Sequence, residues 1–186
     1  MNLELIRTLP PFVPIELLGQ ITKHPELWNK YRERTSTTTH QDISDIWLRF
    51  NARENYDYLC SNKFVEEHFA SWYHPAIDKL PMVKEIAQRL MCSERAEYLG
   101  GVLITKIPPG GRVLPHTDSG WHPEFLNRKL YVVLQSNDKC INRVEDETAT
   151  MKAGEVWFFD NTREHAVTNN GDTDRITLIV CMRKEP

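Results

Sequence analysis

The sequence contains no long hydrophobic run and no excess of positive charge. A transmembrane helix needs about 20 consecutive apolar residues, and no stretch of the 186 residues approaches that length. Residues 1–7 also lack the basic start and the apolar stretch of a signal peptide. The net charge of −3 is unusual for a protein whose main task is to grip a phosphate backbone. We therefore expect no membrane partner, and nucleic acid is disfavoured as a partner.

Cysteine is scarce and widely spaced. The four cysteines form no C-x-x-C pair and are Cys60, Cys92, Cys140 and Cys181. Structural zinc sites and the disulfide frameworks of small domains normally use more closely spaced cysteines. The sequence therefore predicts reduced thiols and a cytoplasmic location.

The remaining composition is typical of one globular domain. Hydrophobic residues make up 40% of the chain and charged residues 26%. A chain of this length buries about 70% of its unfolded surface, which allows a sizeable core. The pattern changes near residue 95. We expect a single domain, 1–186, in which residues 1–95 form a helical and irregular support with a candidate substrate entrance, and residues 96–184 form a β-rich catalytic core.

Hydrophobic spacing predicts the individual elements. Apolar residues at three- and four-residue intervals indicate a short helix that ends near His24 and a longer helix over residues 78–91. The apolar stretch that begins at Ile43 suits a strand or a helix equally. In the second half, apolar runs bounded by turn residues predict the strands of a sandwich or barrel. These runs cover residues 98–107, 130–134, 155–159 and 175–182.

His116 and Asp118 form an H-x-D pair within the run Leu114 to Asp118. Side chains two residues apart on an extended segment point to the same side. With a second histidine, an imidazole and a carboxylate make the facial triad of non-haem Fe(II) oxygenases. Taken alone, the pair is explained at least as well by a turn, in which Asp118 accepts backbone N–H bonds beside Ser119 and Gly120.

His165 and Arg175 supply the context for this pair. His165 follows an apolar strand where the chain turns, and Arg175 comes ten residues later at the head of another strand. A dicarboxylate cosubstrate needs a metal at its 2-oxo acid end and a guanidinium at its distal carboxylate. Each residue taken separately has a structural explanation. His165 could be a hydrogen-bonded histidine at a sheet edge, and Arg175 could form a surface ion pair with Asp172 or Asp174.

These residues belong to a longer series of matching segments. In chain order the segments are IPPGG (107–111), LPHTD (114–118), GEVWFFD (154–160), EHAV (164–167) and DR (174–175). Over residues 98–183, a little under half of the chain, the pattern resembles the 2-oxoglutarate/Fe(II)-dependent dioxygenases. It is most similar to the aspartyl/asparaginyl β-hydroxylase-like branch of that superfamily.

The resemblance implies a fold and a set of metal ligands. The fold is a double-stranded β-helix, a jelly-roll or cupin-like core over residues 96–184, with the metal in its mouth and helices flanking it at the N-terminal side. His116, Asp118 and His165 are implied as the iron ligands and the catalytic residues. The implied cofactors are Fe(II), 2-oxoglutarate as cosubstrate, and O2.

Two arginines are implied as contacts of the cosubstrate. Arg175 matches the anchor of 2-oxoglutarate. Arg128 resembles a second arginine that contacts the cofactor, but Leu130 stands where a histidine is expected two residues later. A solvated charge beside Lys129 is the alternative for Arg128.

The implied activity is hydroxylation of a C–H bond, with release of succinate and CO2. The substrate is expected to be a small molecule, peptide or protein, such as an amino acid or an Asp, Asn or Pro side chain. The alternatives are a cupin-like metal- or ligand-binding module without oxygenase activity, and an oxygenase that acts on nucleic-acid bases. Candidate substrate contacts come from the N-terminal half and from the loop after the metal pair. They are Trp47, Arg49, Trp121 and His122, although a packed element with a solvated face also explains residues 40–49.

Overall fold

The structure, a computed structural model, describes residues 2–6, 12–51 and 70–185, with the exception of the Trp121 side chain. These residues form two antiparallel sheets of seven and four strands. The strands are β1 (Leu3–Leu5), β2 (Ser44–Asn51), β3 (Ala70–Trp72), β4 (Tyr98–Ile107), β5 (Arg112–His116), β6 (Arg128–Gln135), β7 (Cys140–Val144), β8 (Glu147–Ala149), β9 (Val156–Phe159), β10 (His165–Asn169) and β11 (Arg175–Arg183).

The helices are few and lie mostly in the first half. They are α1 (Pro14–Lys23), α2 (Ala76–Lys79), α3 (Met82–Glu94) and α4 (Trp121–Phe125), with single 3-10 turns at Pro25–Leu27 and Thr38–His40. The predicted first helix is confirmed and ends beside His24. The predicted helix over residues 78–91 is divided into α2 and α3 at Leu80 and Pro81. Pro81 has no N–H to donate and restricts the residue before it, so a continuous helix is interrupted there.

The eight strands from β4 onward alternate between the two sheets, except that the consecutive strands β7 and β8 both lie in the small sheet. The large sheet has the order β1-β9-β6-β11-β4-β2-β3, and the small sheet has the order β5-β10-β7-β8. Strands β4, β6, β9 and β11 therefore lie opposite β5, β7, β8 and β10. This two-sheet arrangement is a double-stranded β-helix, or jelly roll, as predicted. All four strands that the apolar runs predict are present, as β4, β6, β9 and β11.

The N-terminal half contains more strand than the sequence predicts. β1 pairs with β9, β2 pairs with β4, and β3 pairs with β2, so all three extend the large sheet. The stretch after Ile43 is the strand β2. Ile46, Trp47 and Leu48 are all buried, because both faces of this strand are covered. A strand that is buried on both faces shows no alternating pattern, so its sequence does not distinguish it from a buried helix.

The main hydrophobic core lies between the large sheet and the helices α1 and α3. Leu17 and Ile21 of α1 and Val83, Ile86 and Leu90 of α3 are buried in it. They pack against alternate residues of the central strands, namely Val102, Ile104, Leu130, Val132, Leu178 and Val180. The opposite face of the same strands looks toward the small sheet, where a second cluster forms around Tyr131, Val133 and Phe159. The helices thus brace one face of the large sheet and leave the other face to the space between the sheets.

Two further observations concern the described residues as a whole. None of their helices combines the length and the apolar character that crossing a bilayer requires. Cys92, Cys140 and Cys181 are free thiols, and Cys60 lies outside the described residues.

Candidate active site

Strand pairing in the small sheet brings the two histidines together. His116 is the last residue of β5, His165 is the first residue of β10, and their Cα atoms are partners in the ladder. Asp118 follows two residues after β5, and its backbone N–H donates to the carbonyl oxygen of Asn161 at 3.0 Å. One ligand atom from each of His116, Asp118 and His165 lies within 4.8 Å of the others. The structure therefore assembles the three residues that the motif predicted.

Both imidazoles present the same nitrogen to this centre. The Nδ1 atoms of His116 and His165 lie 2.8 and 2.9 Å from the carbonyl oxygens of Leu114 and Arg163. A carbonyl only accepts, so each Nδ1 carries the hydrogen and each Nε2 keeps its lone pair for a metal. Burial, followed by the charge of Lys129, lowers the pKa of His165 to about 4. His165 is therefore neutral at neutral pH, as a metal ligand must be.

The two oxygens of Asp118 have different surroundings. Oδ2 accepts hydrogen bonds from Asn161 Nδ2 at 2.6 Å and from Lys129 Nζ at 3.0 Å. Oδ1 lies 3.3 Å from His116 Nε2. Burial disfavours the carboxylate, but the Lys129 charge and the hydrogen bond from Asn161 outweigh it and hold the pKa of Asp118 well below its usual range. Asp118 is thus an ionised ligand with one oxygen held by the protein and the other directed to the centre.

This donor set fits Fe(II). Two imidazoles and one carboxylate form the 2-His-1-carboxylate triad, which leaves coordination positions for other ligands. The hydrogen bonds to both Nδ1 atoms and to Asp118 Oδ2 orient the ligands before a metal is bound.

The triad lines an inner cavity between the sheets of about 30 Å³. Arg175, the first residue of β11, lines the same cavity and is 2% exposed. Its Nη2 donates to Asn142 Oδ1 at 2.9 Å, and its guanidinium lies 5.4 Å from the centre of the Tyr131 ring. Within the described ranges no carboxylate forms an ion pair with Arg175, and Asp172 and Asp174 are not its partners. Burial lowers the pKa of Arg175, but an arginine stays protonated in proteins.

The hydroxyl of Thr105 is a second unused donor in this cavity. Thr105 lies on β4 and lines the cavity, and its Cα is opposite Thr177 of β11. The Oγ1 atoms of Thr105 and Thr177 are both buried, and neither has a hydrogen-bond partner among the described residues. A buried polar group normally has a partner, so the Thr105 hydroxyl, which lines the cavity, indicates a site for a polar ligand.

A larger outer cavity of about 420 Å³ adjoins the inner one. Arg34, His40, Asp118, Lys129 and Ile179 line both cavities, so the two meet beside the triad. The outer cavity is otherwise lined mainly by apolar and aromatic groups, among them Trp47, Phe50, Leu103, Pro123, Cys181 and His122. Two of the four predicted substrate contacts, Trp47 and His122, therefore lie on its wall. The side chain of a third, Trp121, lies outside the described residues.

The predicted substrate contact of Arg49 does not agree with its position. Its Nε and Nη2 donate to the Leu99 carbonyl oxygen at 3.2 and 3.1 Å, and its guanidinium lies 5.4 Å from the Trp72 ring centre. The pairing of β2 with β4 shifts register between Trp47 and Arg49. Such a bulge changes the face on which the following residues lie, so Phe50 takes the cavity position that Arg49 was expected to hold.

The predicted cofactor contact of Arg128 does not agree with its position. Arg128 Nε donates to Glu94 at 2.8 Å, and the guanidinium lies 4.2 Å from the Phe158 ring centre. Successive residues of a strand point to opposite faces, so the neighbouring Lys129 reaches the cavity and Arg128 does not. The alternative, that Arg128 is a solvated charge, does not agree with the structure either, because its side chain is only 18% exposed and is paired with the buried Glu94. No local pattern selects Lys129 over Arg128, because the choice depends on how β6 pairs with β9 and β11.

Arg34 and His40 are site residues that the sequence analysis did not single out. They come from the loop between α1 and β2, and the His40 ring centre lies 4.9 Å from that of His116. Burial, followed by the Arg34 charge, lowers the pKa of His40 to about 2. No local pattern indicates that this loop reaches the triad, because its position depends on contacts with β5.

Comparison with known proteins places the chain in a family. A sequence model described as aspartyl/asparaginyl beta-hydroxylase matches residues 18–185, and the chain therefore belongs to that family. It is also similar to the L-proline cis-4-hydroxylase of Rhizobium meliloti (strain 1021), with 27% identity over 106 residues. That match covers 57% of this chain and 36% of the relative, so the chain spans about a third of the relative's length.

Solved structures show the same fold at low identity. A 2OG-Fe(II) oxygenase family oxidoreductase from Burkholderia pseudomallei is 14% identical with a TM-score of 0.63, over 99% of this chain and 85% of that one. The viral collagen prolyl hydroxylase of Paramecium bursaria Chlorella virus-1 is 16% identical with a TM-score of 0.55, over 100% and 97%. A Pseudomonas putida prolyl-4-hydroxylase is 16% identical with a TM-score of 0.55, over 100% and 94%. These likenesses show the jelly-roll fold.

Proposed function

We propose that this protein is an Fe(II)- and 2-oxoglutarate-dependent hydroxylase of a C–H bond in an amino acid or a protein side chain. The observation that carries the proposal is the position of Arg175. A buried guanidinium without an anionic partner in the described region shares one cavity with a His-Asp-His triad. An unpaired buried charge is costly, and a dicarboxylate that also chelates the metal would remove that cost.

His116, Asp118 and His165 would hold the iron. Asn161 and Lys129 would keep Asp118 in place through Oδ2, so that Oδ1 stays free for the metal. Bound Fe(II), together with 2-oxoglutarate and O2, supplies the oxidation, in which one oxygen atom enters the substrate C–H bond and the other leaves in succinate, with release of CO2.

Arg175 would bind the distal carboxylate of 2-oxoglutarate through charge-assisted hydrogen bonds. The Asn142 side chain orients the guanidinium by accepting from Nη2. The Thr105 hydroxyl, which has no partner in the described residues, would donate to the same ligand. The chain's own contribution is therefore to fix the two ends of the cosubstrate between Arg175 and the triad.

The outer cavity would take the substrate. Trp47, Phe50 and His122 form an aromatic wall of this cavity, against which the apolar part of a substrate would pack. The likeness to an L-proline cis-4-hydroxylase supports a small amino acid or a peptide as the substrate class. We also infer that residues 12–51 and the jelly roll work as one catalytic unit, because Arg34, His40 and Trp47 line the same cavities as the triad.

The test is succinate release with a panel of free amino acids and peptides, measured against the release without substrate. We expect release to require Fe(II) and to rise with at least one member of the panel. Arg175→Gln should abolish it at moderate 2-oxoglutarate concentrations. Arg112→Gln, which changes an exposed arginine of β5, is the matched control and should behave like wild type.

The two alternative functions predict other results. A binding module would bind the metal without consuming 2-oxoglutarate under any condition. An oxygenase of nucleic-acid bases would release succinate above background only with a nucleoside or an oligonucleotide. Either result would contradict the proposal.

A further inference from the structure

We propose that Arg34 binds a carboxylate group of the substrate in the outer cavity, and hence that the substrate carries a free carboxylate, as a free amino acid does. The inference rests on the proposed function and adds a recognition residue to it. Arg34 lies in the loop between α1 and the 3-10 turn at Thr38–His40.

The position of Arg34 is the first argument. It lines both the inner and the outer cavity, as Asp118 and Lys129 do. A group that touches both spaces lies where a substrate must approach the triad. Its side chain is 23% exposed, so it is accessible from the outer cavity but largely shielded from bulk water.

The hydrogen bonds of Arg34 give the second argument. Its Nη1 lies 2.9 and 2.8 Å from Oδ1 and Oδ2 of Asp45. Asp45 is completely buried on β2, and its backbone N–H donates to Asn29 Oδ1. One nitrogen of the guanidinium is therefore tethered to a rigid strand. Within the described residues, Nε and Nη2 donate no hydrogen bond, so the tether leaves donors for a ligand.

The charges around the two cavities give the third argument. Arg34, Lys129 and Arg175 are the cations that line them, and Asp118 is the carboxylate. Asp45 behind Arg34 cancels one cation and Asp118 cancels a second. The charges of Fe(II) and of the 2-oxoglutarate dianion would offset each other. The cavities therefore keep a net positive charge, which attracts the carboxylate end of a ligand toward these cations.

The walls beside Arg34 favour a compact apolar substrate body. The rings of Trp47 and Phe50 pack edge to face with their centres 5.1 Å apart, and the ring centres of Phe50 and His122 are 5.3 Å apart. A Cβ added at Gly101 would lie only 3.2 Å from Phe50 and 3.3 Å from His122, so glycine lets both rings close on the strand. In such surroundings a bond between a guanidinium and a carboxylate is stronger than in water.

The experiment measures binding without turnover. Protein loaded with Mn(II) and 2-oxoglutarate under anaerobic conditions is titrated by calorimetry with free L-amino acids, beginning with L-proline, and with their carboxamides. We expect at least one free acid to bind and its amide to bind much more weakly. Arg34→Gln should weaken binding of the free acid about 30-fold or more, as expected for the loss of one partner of a buried charge pair. The weak binding of the amide should be unchanged.

Asp45→Asn is the matched control, because it breaks the same ion pair and keeps Arg34. If Arg34 only holds its loop, both variants lower the melting temperature and weaken the acid and the amide alike. That result would overturn the proposal. So would an amide that binds as tightly as its acid, or a panel in which only peptides with blocked ends bind. Failure of the proposed function is visible earlier, since 2-oxoglutarate would then not bind to the Mn(II)-loaded protein before any substrate is added.

Discussion

The two faces of the large sheet carry different residues, although the same strands supply both. On β11, Leu178 and Val180 pack against the helices, whereas Arg175 and Ile179 line the inner cavity. On the helix side the central strands contribute almost only aliphatic groups. On the cavity side they contribute an arginine, a lysine, a tyrosine and a threonine, namely Arg175, Lys129, Tyr131 and Thr105.

The difference shows which face stabilises the fold and which face serves binding. Burial of aliphatic surface contributes about 25 cal/mol per Å², so the helix face supports stability. A buried cation without a paired anion costs desolvation energy, so Arg175 does not owe its place to stability. Substitutions on the two faces should therefore separate stability from ligand binding.

The largest effect is expected at the metal ligands. His165→Ala removes one of the three metal-binding side chains. Loss of a residue that only hydrogen-bonds to a metal ligand lowers metal affinity about 10–100-fold, so the affinity for Mn(II) should fall by more than that here. Calorimetric titration with Mn(II) is the measurement, and His24→Ala, remote from the triad, is the control. Wild-type affinity in both His116→Ala and His165→Ala would contradict the triad.

Arg175→Gln tests the cavity face itself. We expect 2-oxoglutarate binding to weaken by about 2–5 kcal/mol, while Mn(II) binding changes little. Pyruvate has no distal carboxylate and should bind both forms of the protein similarly. The melting temperature should not fall, because an unpaired buried charge is removed. Equal losses for 2-oxoglutarate and pyruvate would instead indicate a damaged fold.

Leu178→Ala tests the opposite face of the same strand, three residues away. Leu178 is completely buried, so the free energy of unfolding should fall by about 2–5 kcal/mol. In the fraction that stays folded, the affinities for Mn(II) and 2-oxoglutarate should match those of wild type. Denaturant titration and calorimetry give the two quantities. A selective loss of 2-oxoglutarate affinity would mean that the two faces are not independent.

Arg128→Gln should have the smallest effect on ligand binding. It removes the partner of the buried Glu94, so some stability is lost. The affinity for 2-oxoglutarate should be unchanged, because the side chain lies on the face away from the cavity. A clear loss of that affinity, with the melting temperature unchanged, would restore Arg128 as a cofactor contact.

The sequence by itself was sufficient for the H-x-D pair and its second histidine, but it did not predict β5 and β10, the small-sheet strands that carry the two histidines. His116, Asp118 and His165 belong to short motifs at strand ends, where local alternation already sets the direction of the side chains. The turn residues around the apolar runs similarly set the extent of β4 and β11. These features depend on neighbours a few residues away, and such neighbours are visible in one sequence.

Only the tertiary structure decided which cations reach the cavities. Whether Arg128 or Lys129 faces inward depends on the register of β6 against β9 and β11. A bulge in β2 moves Arg49 away from the cavity, and its position is set by pairing with β4. Arg34 reaches the triad because Asp45, eleven residues further along the chain, holds it from a buried strand. Each of these outcomes depends on pairing between distant segments, and a pattern of neighbouring residues does not contain that information.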